Sequence, residues 1–204
     1  MKLVYGTTNK AKIHFMKRLA EPLGIEILSL DDVGAPKLDI PENGSSPLEN
    51  AKIKALAYYN ELKLPVFSCD SGLYIDELDD DRQPGINVRG LKDDMTDDEA
   101  RDFYSAMASE FGGKITARYQ NAVCLVLDEN RIIEYMGEDI ASERFYIVSK
   151  PHSDLSKRKE GFPLDSISVH IESGEYYYDM PGYGEKYSEV DNGFTAFFQR
   201  VFQL

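Results

Sequence analysis

From Lys2 to Cys69 three short apolar runs are separated by two capped amphipathic stretches. Helices and strands that alternate this early call for a layered α/β arrangement, because each apolar face must be buried against another element. The first run, Lys2–Tyr5, reads as a short buried strand. Gly6, Thr7, Thr8 and Asn9 form a turn, and Asn9 caps a helix that carries Ile13, Met16 and Leu19 or Ala20 on one face. Pro22 and Gly24 stop that helix, and Ile25–Leu30 alternates like a second strand. A loop rich in Asp, Gly, Pro and Asn runs from Asp31 to Ser45. Ser46-Pro47-Leu48-Glu49 then has the pattern of a capping box with Pro at the first helical position. The helix it opens aligns Leu48, Ala51, Ala55, Tyr59 and Leu62. Pro65–Cys69 is the third strand, expected to end at Asp70-Ser71-Gly72.

Further along, Thr96-Asp97-Asp98-Glu99 is a second capping box, and its helix runs to about Glu110 before Gly112-Gly113. Ile115–Leu127 and Arg131–Met136 predict a β-hairpin turning at Asp128-Glu129-Asn130, and Phe145–Val148 predicts another strand. The tail is tyrosine-rich, with a last helix or strand at Thr195–Phe202. Antiparallel strands thus follow the alternating part, so the class is mixed α/β. With neither a linker nor an internal repeat, residues 1–204 are expected to form a single domain.

The 42% of apolar residues is enough for a sizeable core. A formal net charge of -13 argues against broad binding to duplex nucleic acid and against a polybasic membrane patch. It leaves room for an anionic small substrate met by local lysines or by a metal. Cys69 and Cys124 form no metal-binding pair and are expected to be buried free thiols in a reducing compartment. The N-terminal apolar run is too short for a secretion signal, and no window approaches the roughly 20 apolar residues that cross a bilayer. A soluble, cytoplasmic protein is expected.

Three groups of residues could carry chemistry. In Gly6-Thr7-Thr8-Asn9-Lys10-Ala11-Lys12, small residues and a helix N-terminus favour an anion, Thr7 and Asn9 add donors, and Lys12 adds charge. No Walker A loop is present, and a plain capped helix with surface lysines explains the same residues. Glu42 and Asp70 could together hold Mg²⁺, a hard ion that shares oxygen ligands with phosphates. Asp70 sits where a strand is expected to end, the place where ligands gather in α/β sheets. Equally, Asp-Ser-Gly is a common turn and Glu42 a plausible solvated side chain, while Glu49 has a structural part as the third residue of its capping box. Tyr176, Tyr177 and Tyr178 could stack on a base or simply pack a strand. His14, His152 and His170 lack ligand spacing, and the acidic run Asp76–Asp81 lacks the calcium-loop pattern.

Taken in order, the pieces are more specific. Thr7-x-Asn9-x-x-Lys12 is followed by Glu42-x-Gly44, then by Glu49-Asn50-Ala51-x-x-Lys54-Ala55, Asp70-Ser71-Gly72-Leu73 and Pro84-Gly85. This set resembles the inosine triphosphate pyrophosphatase family, closely over residues 1–89. Gly161-Phe162-x-x-Asp165 is similar to the family's Gly-Phe-Gly-Tyr-Asp segment. The resemblance implies an elongated mixed β-sheet with flanking helices, two lobes enclosing a nucleotide cleft, and a homodimer. It also implies Mg²⁺-dependent attack of water on the α-phosphorus of non-standard purine nucleoside triphosphates, releasing a nucleoside monophosphate and pyrophosphate.

Carried over by position, Thr7, Thr8, Asn9, Lys12 and Ser71 would hold the triphosphate, and Lys54 would neutralise its charge. Glu42 and Asp70 would hold the metal, and Asp70 would orient the water. Arg89 would contact substrate, Phe162 would stack on the base and Asp165 would touch it. Lys186 would match a late lysine of the family. Three departures stand out. Cys69 replaces an acidic residue before Asp-Ser-Gly; the segment from Pro84 to Arg89 is one residue short; and Val190-Asp191-Asn192 stands where the family reads its purine with Ser-His-Arg. The alternative reading is a nucleotide-binding protein of the same fold that has lost turnover.

Overall fold

The structure, a computed structural model, describes residues 1–89, 95–157, 161–180 and 189–204. Lys186 lies outside the described residues. Among the described residues, seven strands form a mixed sheet of order β2-β1-β3-β4-β6-β7, with β5 also paired to β4. The strands are β1 (Lys2–Tyr5), β2 (Glu26–Leu28), β3 (Val66–Ile75), β4 (Lys114–Asp128), β5 (Arg131–Tyr135), β6 (Phe145–Val148) and β7 (Ser168–His170). The helices are α1 (Lys10–Ala20), α2 (Pro47–Leu62), α3 (Asp97–Glu110) and α4 (Glu189–Phe202). The mixed α/β class is thus as expected. β1 runs parallel to both β2 and β3, whereas β4–β5, β4–β6 and β6–β7 are antiparallel. Among the described residues no helix is long and apolar enough to cross a membrane.

The chain divides into two compact units. The first gathers Met1–Ser71, Gln120–Ala141 and Tyr187–Leu204; the second gathers Gly72–Tyr119 and Ser142–Lys186. Two of the passages between them run inside β3 and β4, which is why no linker marks the division in the sequence.

In the first unit the sheet has apolar layers on both faces, and the period of two in β1 and β3 assigns the residues to them. Tyr5 and Phe67 stack at 4.3 Å on one face, where Met16 and Leu19 of α1 and Phe194, Phe197 and Phe198 of α4 cover them. Val4 and Val66 face the other way, onto Ala51, Ala55, Tyr58 and Tyr59 of α2. Each phenylalanine of α4 that is removed from water contributes about 1.5–3 kcal/mol. α4 closes on the 3-10 turn Glu138–Ile140, where a Cβ on Gly193 would collide with the Asp139 carbonyl oxygen. The second unit has its own core, in which Leu73 and Ile75 of β3, Tyr104 and Ala108 of α3, Ile115, Phe145 and Ile147 meet Leu164 and Ile167.

Several boundaries differ from the sequence reading. β3 does not end at Asp70-Ser71-Gly72 but continues to Ile75, because sheet pairing outweighs the turn preference of those residues. β2 is shorter than Ile25–Leu30, and α4 is a helix that starts at Glu189 rather than Thr195. Of the three tail tyrosines, Tyr176 bridges to Val169, while Tyr177 begins a 3-10 turn that ends at Asp179. The Thr96 capping box forms in both halves. That of Ser46 forms in one only: its hydroxyl accepts from Glu49 N at 3.2 Å, but the Glu49 carboxylate turns to Ser45 instead.

Candidate functional site

The expected site residues fall into two groups, one in each unit. The first surrounds the carboxyl end of β1. Pairing of β1 with β3 stops at Tyr5 and Phe67, so Asp70, although inside its own strand, lies just beyond the edge of the parallel pair. The rule that places ligands outside strand ends therefore still applies, through β1 rather than β3.

At that end Gly6 N donates to Phe67 O at 2.8 Å and the chain turns into α1. Asn9 caps the helix, its Oδ1 accepting from Ala11 N at 3.0 Å and Lys12 N at 3.1 Å. Thr7 Oγ1 in turn accepts from Asn9 N at 3.2 Å. The capped-helix reading is thus realised, and it is compatible with an anion, since capping satisfies only part of the N-terminal donors. Thr8 is exposed, and Lys12 is half-buried one turn into the helix.

Lys54, one turn beyond Asn50 in α2, joins the two carboxylates. Its Nζ lies 3.1 Å from Glu42 Oε2 and 3.4 Å from Asp70 Oδ2. The side chains of Lys54 and Asp70 are each 14% exposed and that of Glu42 is 53% exposed. Asp70 Oδ1 accepts from Ser71 N at 3.0 Å. The Ser71 hydroxyl points instead to Asn121 Oδ1 at 2.6 Å, and Asn121 is fixed by Ile140 O. Two carboxylates on one ammonium are hard oxygen donors in the number that Mg²⁺ takes from a protein when phosphates supply the rest. Among the described residues no three His, Cys, Asp or Glu side chains converge to hold a metal by themselves.

Cys69 belongs to the opposite face of β3. It is buried in the α1–α4 core, hydrogen-bonded to Tyr5. Burial pushes its thiol up to about 12, against the Tyr5 hydrogen bond and the charges of Lys12 and Lys54, which pull it down. That both ammonium groups act on one thiol places Lys12 and Lys54 around the same stretch of β3. A carboxyl at position 69 would lie in that core, on the face of β3 opposite Asp70, within the field of the two ammonium groups.

The second group contains Arg89, Phe162 and Asp165. Arg89 Nη2 lies 2.9 Å from Asp97 Oδ1, and its Nη1 donates to Met95 O at 3.0 Å. The other oxygen of Asp97 accepts from Gly161 N at 2.7 Å, so one carboxylate ties Arg89 to the residue before Phe162. The Phe162 ring is exposed, and Asp165 N donates to Phe162 O at 3.3 Å. Asp97, Asn50 and Asn121 are given no site role by the sequence reading: Asp97 appears there at the start of a capped helix, Asn50 as a member of the Glu49-Asn50-Ala51 motif, and Asn121 carries no signal.

In Val190-Asp191-Asn192 Val190 is half-buried, Asp191 is buried and Asn192 is exposed. The three residues lie in the first turn of α4, and Asp191 is buried against Arg18 Nη2 at 2.8 Å. A charge buried this way is retained with its partner and is costly to strand.

The structure superimposes on that of a HAM1 protein from Coxiella burnetii with a TM-score of 0.78 at 22% identity, over 100% of both chains, which establishes the fold. A dITP/XTP pyrophosphatase from Brucella melitensis is 33% identical over 199 residues, covering 93% of this chain and 79% of that protein. One of the same name from Rhodopseudomonas palustris is 36% identical over 143 residues, covering 65% of this chain and 64% of that protein, just under two thirds of its length. The Ham1 family model matches residues 3–142, the stretch that supplies Thr7, Lys12, Glu42, Lys54, Asp70 and Arg89, and the chain belongs to that family.

Proposed function

We propose that the chain hydrolyses nucleoside triphosphates of non-standard purines to the nucleoside monophosphate and pyrophosphate, with Mg²⁺ as the metal. The observation that carries this reading is the convergence of Glu42 and Asp70 on Lys54, beside the helix end that bears Lys12. The names of the relatives in Brucella and Rhodopseudomonas support the substrate class.

Lys12 and the α1 N-terminus take up the charge of the phosphate chain, with Thr7, Thr8 and Asn9 as neighbouring polar groups. Glu42 and Asp70 would hold the cation, which supplies charge neutralisation at the phosphate oxygens. Lys54, which neutralises both carboxylates in this structure, would serve the phosphates when Glu42 and Asp70 hold a cation. Asp70 accepts a hydrogen bond from the attacking water and aims it at the α-phosphorus. The water oxygen bonds to that phosphorus, the bridging bond to the β-phosphate breaks, pyrophosphate leaves and a proton passes to solvent. Such chemistry is mostly positioning and electrostatics. Phe162 and Asp165 serve the base, and Arg89 holds Asp97 in the same unit. Lys186 retains the substrate role that the resemblance gives it. The reading takes both units as one catalytic domain, acting in the cytoplasm as a homodimer.

The test offers the protein a panel of ribo- and deoxynucleoside triphosphates with Mg²⁺ and measures pyrophosphate apart from orthophosphate. Pyrophosphate as the sole inorganic product, released fastest from triphosphates whose base is hypoxanthine or xanthine, is expected. Orthophosphate would make the protein a phosphatase, and binding with neither product would make it a nucleotide-binding relative without turnover.

A further inference from the structure

The segment that carries Glu42, residues 35–44, has no regular secondary structure, yet Glu42 has to meet Asp70 to within the width of one ion. Leu38 and Ile40 pack its first part against the α2 core. After Glu42 the backbone is fastened by two consecutive side chains of α2. Asn50 Oδ1 accepts from Gly44 N at 2.8 Å, and Glu49 Oε2 accepts from Ser45 N at 2.6 Å and from Ser45 Oγ at 2.9 Å. The Asn50 side chain is spent on this in the interior, with the residue only 2% exposed. The fit is close: a Cβ on Gly44 would stand 2.7 Å from Asn50 Oδ1 and 2.7 Å from Glu49 Cβ. Asn50 and Lys54 are four apart, on one face of the helix. A single rigid element therefore sets both the ammonium that bridges the carboxylates and the backbone that delivers one of them.

We propose that Asn50, together with Glu49, is the positioning residue that holds Glu42 in metal-binding geometry, an inference that rests on the reading of Glu42 and Asp70 as the cation's ligands. Neither side chain reaches the ion. They act through the amides of Gly44 and Ser45, as outer-shell groups orient a ligand. Without the clamp Glu42 samples many positions, and the cation must order the loop as it binds.

Mn²⁺ binding to the nucleotide-free full chain, followed by calorimetry beside metal-free thermal melts, tests this. Asn50→Ala is expected to weaken Mn²⁺ binding on the order of tenfold. Glu49 is exposed, so Glu49→Ala leaves the fold intact, and it is expected to weaken binding in the same direction. Glu49→Gln keeps an acceptor for Ser45 and is expected to bind like wild type. If Glu49→Gln loses as much as Glu49→Ala, Glu49 acts by its charge, and the clamp is refuted. If Asp70→Asn abolishes binding while Asn50→Ala and Glu49→Ala match wild type, the clamp is refuted and the metal site stands. If wild type binds no Mn²⁺, or Asp70→Asn binds as well as wild type, the metal reading falls and the clamp with it.

Discussion

Lys54→Met separates two roles of one ammonium. Methionine keeps the unbranched stem, which matters for a side chain only 14% exposed, and removes the charge. On the proposed assignment of Glu42 and Asp70 as ligands, a cation has to displace Lys54 from both carboxylates of the free protein. The bond to Glu42 is short at 3.1 Å, but Glu42 is 53% exposed, so solvent screening leaves it about 0.5 kcal/mol. The ion pair with Asp70 is longer at 3.4 Å but enclosed, each side chain being 14% exposed, so solvent screens it less and it contributes about 1.5 kcal/mol. Together they set about 2 kcal/mol against the cation, close to a thirtyfold weakening of its affinity. Lys54→Met should therefore tighten Mg²⁺ binding to the nucleotide-free protein by about 10- to 30-fold. Turnover should move the other way, falling on the order of 10²- to 10³-fold, because the transition state loses a preorganised positive charge. Mg²⁺ titration calorimetry and pyrophosphate release at saturating Mg²⁺ read the two effects separately. Unchanged or weaker Mg²⁺ binding in Lys54→Met would refute the displacement argument, whatever happened to turnover.

Asp70→Asn should abolish Mg²⁺-dependent pyrophosphate release while shifting the metal-free melting temperature little, since the amide oxygen still accepts from Ser71 N; activity retained at limiting Mg²⁺ would remove Asp70 from the site. Cys69→Asp should leave the Mg²⁺ titration unchanged and destabilise on the order of 2–3 kcal/mol, because the new carboxyl is buried beside Tyr5 rather than beside Glu42; tighter Mg²⁺ binding would show that position 69 reaches the ion. Gly193→Ala should destabilise by about 3 kcal/mol, against the gain of about 1 kcal/mol that alanine brings to a helix interior, because its methyl meets the Asp139 carbonyl oxygen; a higher denaturation midpoint would contradict that close approach.

Helix starts were the most legible part of the fold, because caps are local chemistry. Asn9 and Thr96 act as their sequence neighbourhoods require. The passage of β3 through Asp70-Ser71-Gly72 was not legible, because those residues prefer a turn and only their sheet neighbours hold them extended. α4 was read too short for a similar reason: Gly193 interrupts the helical pattern, and the need for it lies in Asp139, far away in the sequence. At the candidate site, the ionisable residues announced themselves by type and order, so Lys12, Glu42, Lys54 and Asp70 were named in advance. Asn50 stands in the same ordered motifs, but its role is not legible, because an amide next to a capping glutamate carries no charge signal and its partner is a backbone N–H. Glu49 was assigned to the wrong amide by one residue, a difference that local pattern cannot resolve.

The three-part make-up of the first unit bears on how the protein is born. Its first segment, with the lysines and carboxylates of the site, is made before Phe194, Phe197 and Phe198, so the face formed by Tyr5 and Phe67 has only α1 to cover it until α4 follows. Residues 1–71 are therefore synthesised with part of that apolar face uncovered, the kind of surface a chaperone shields. A stop codon shortly before Glu189 would release a chain in which every residue of the Lys12–Glu42–Lys54–Asp70 group is present and the core beneath it is not.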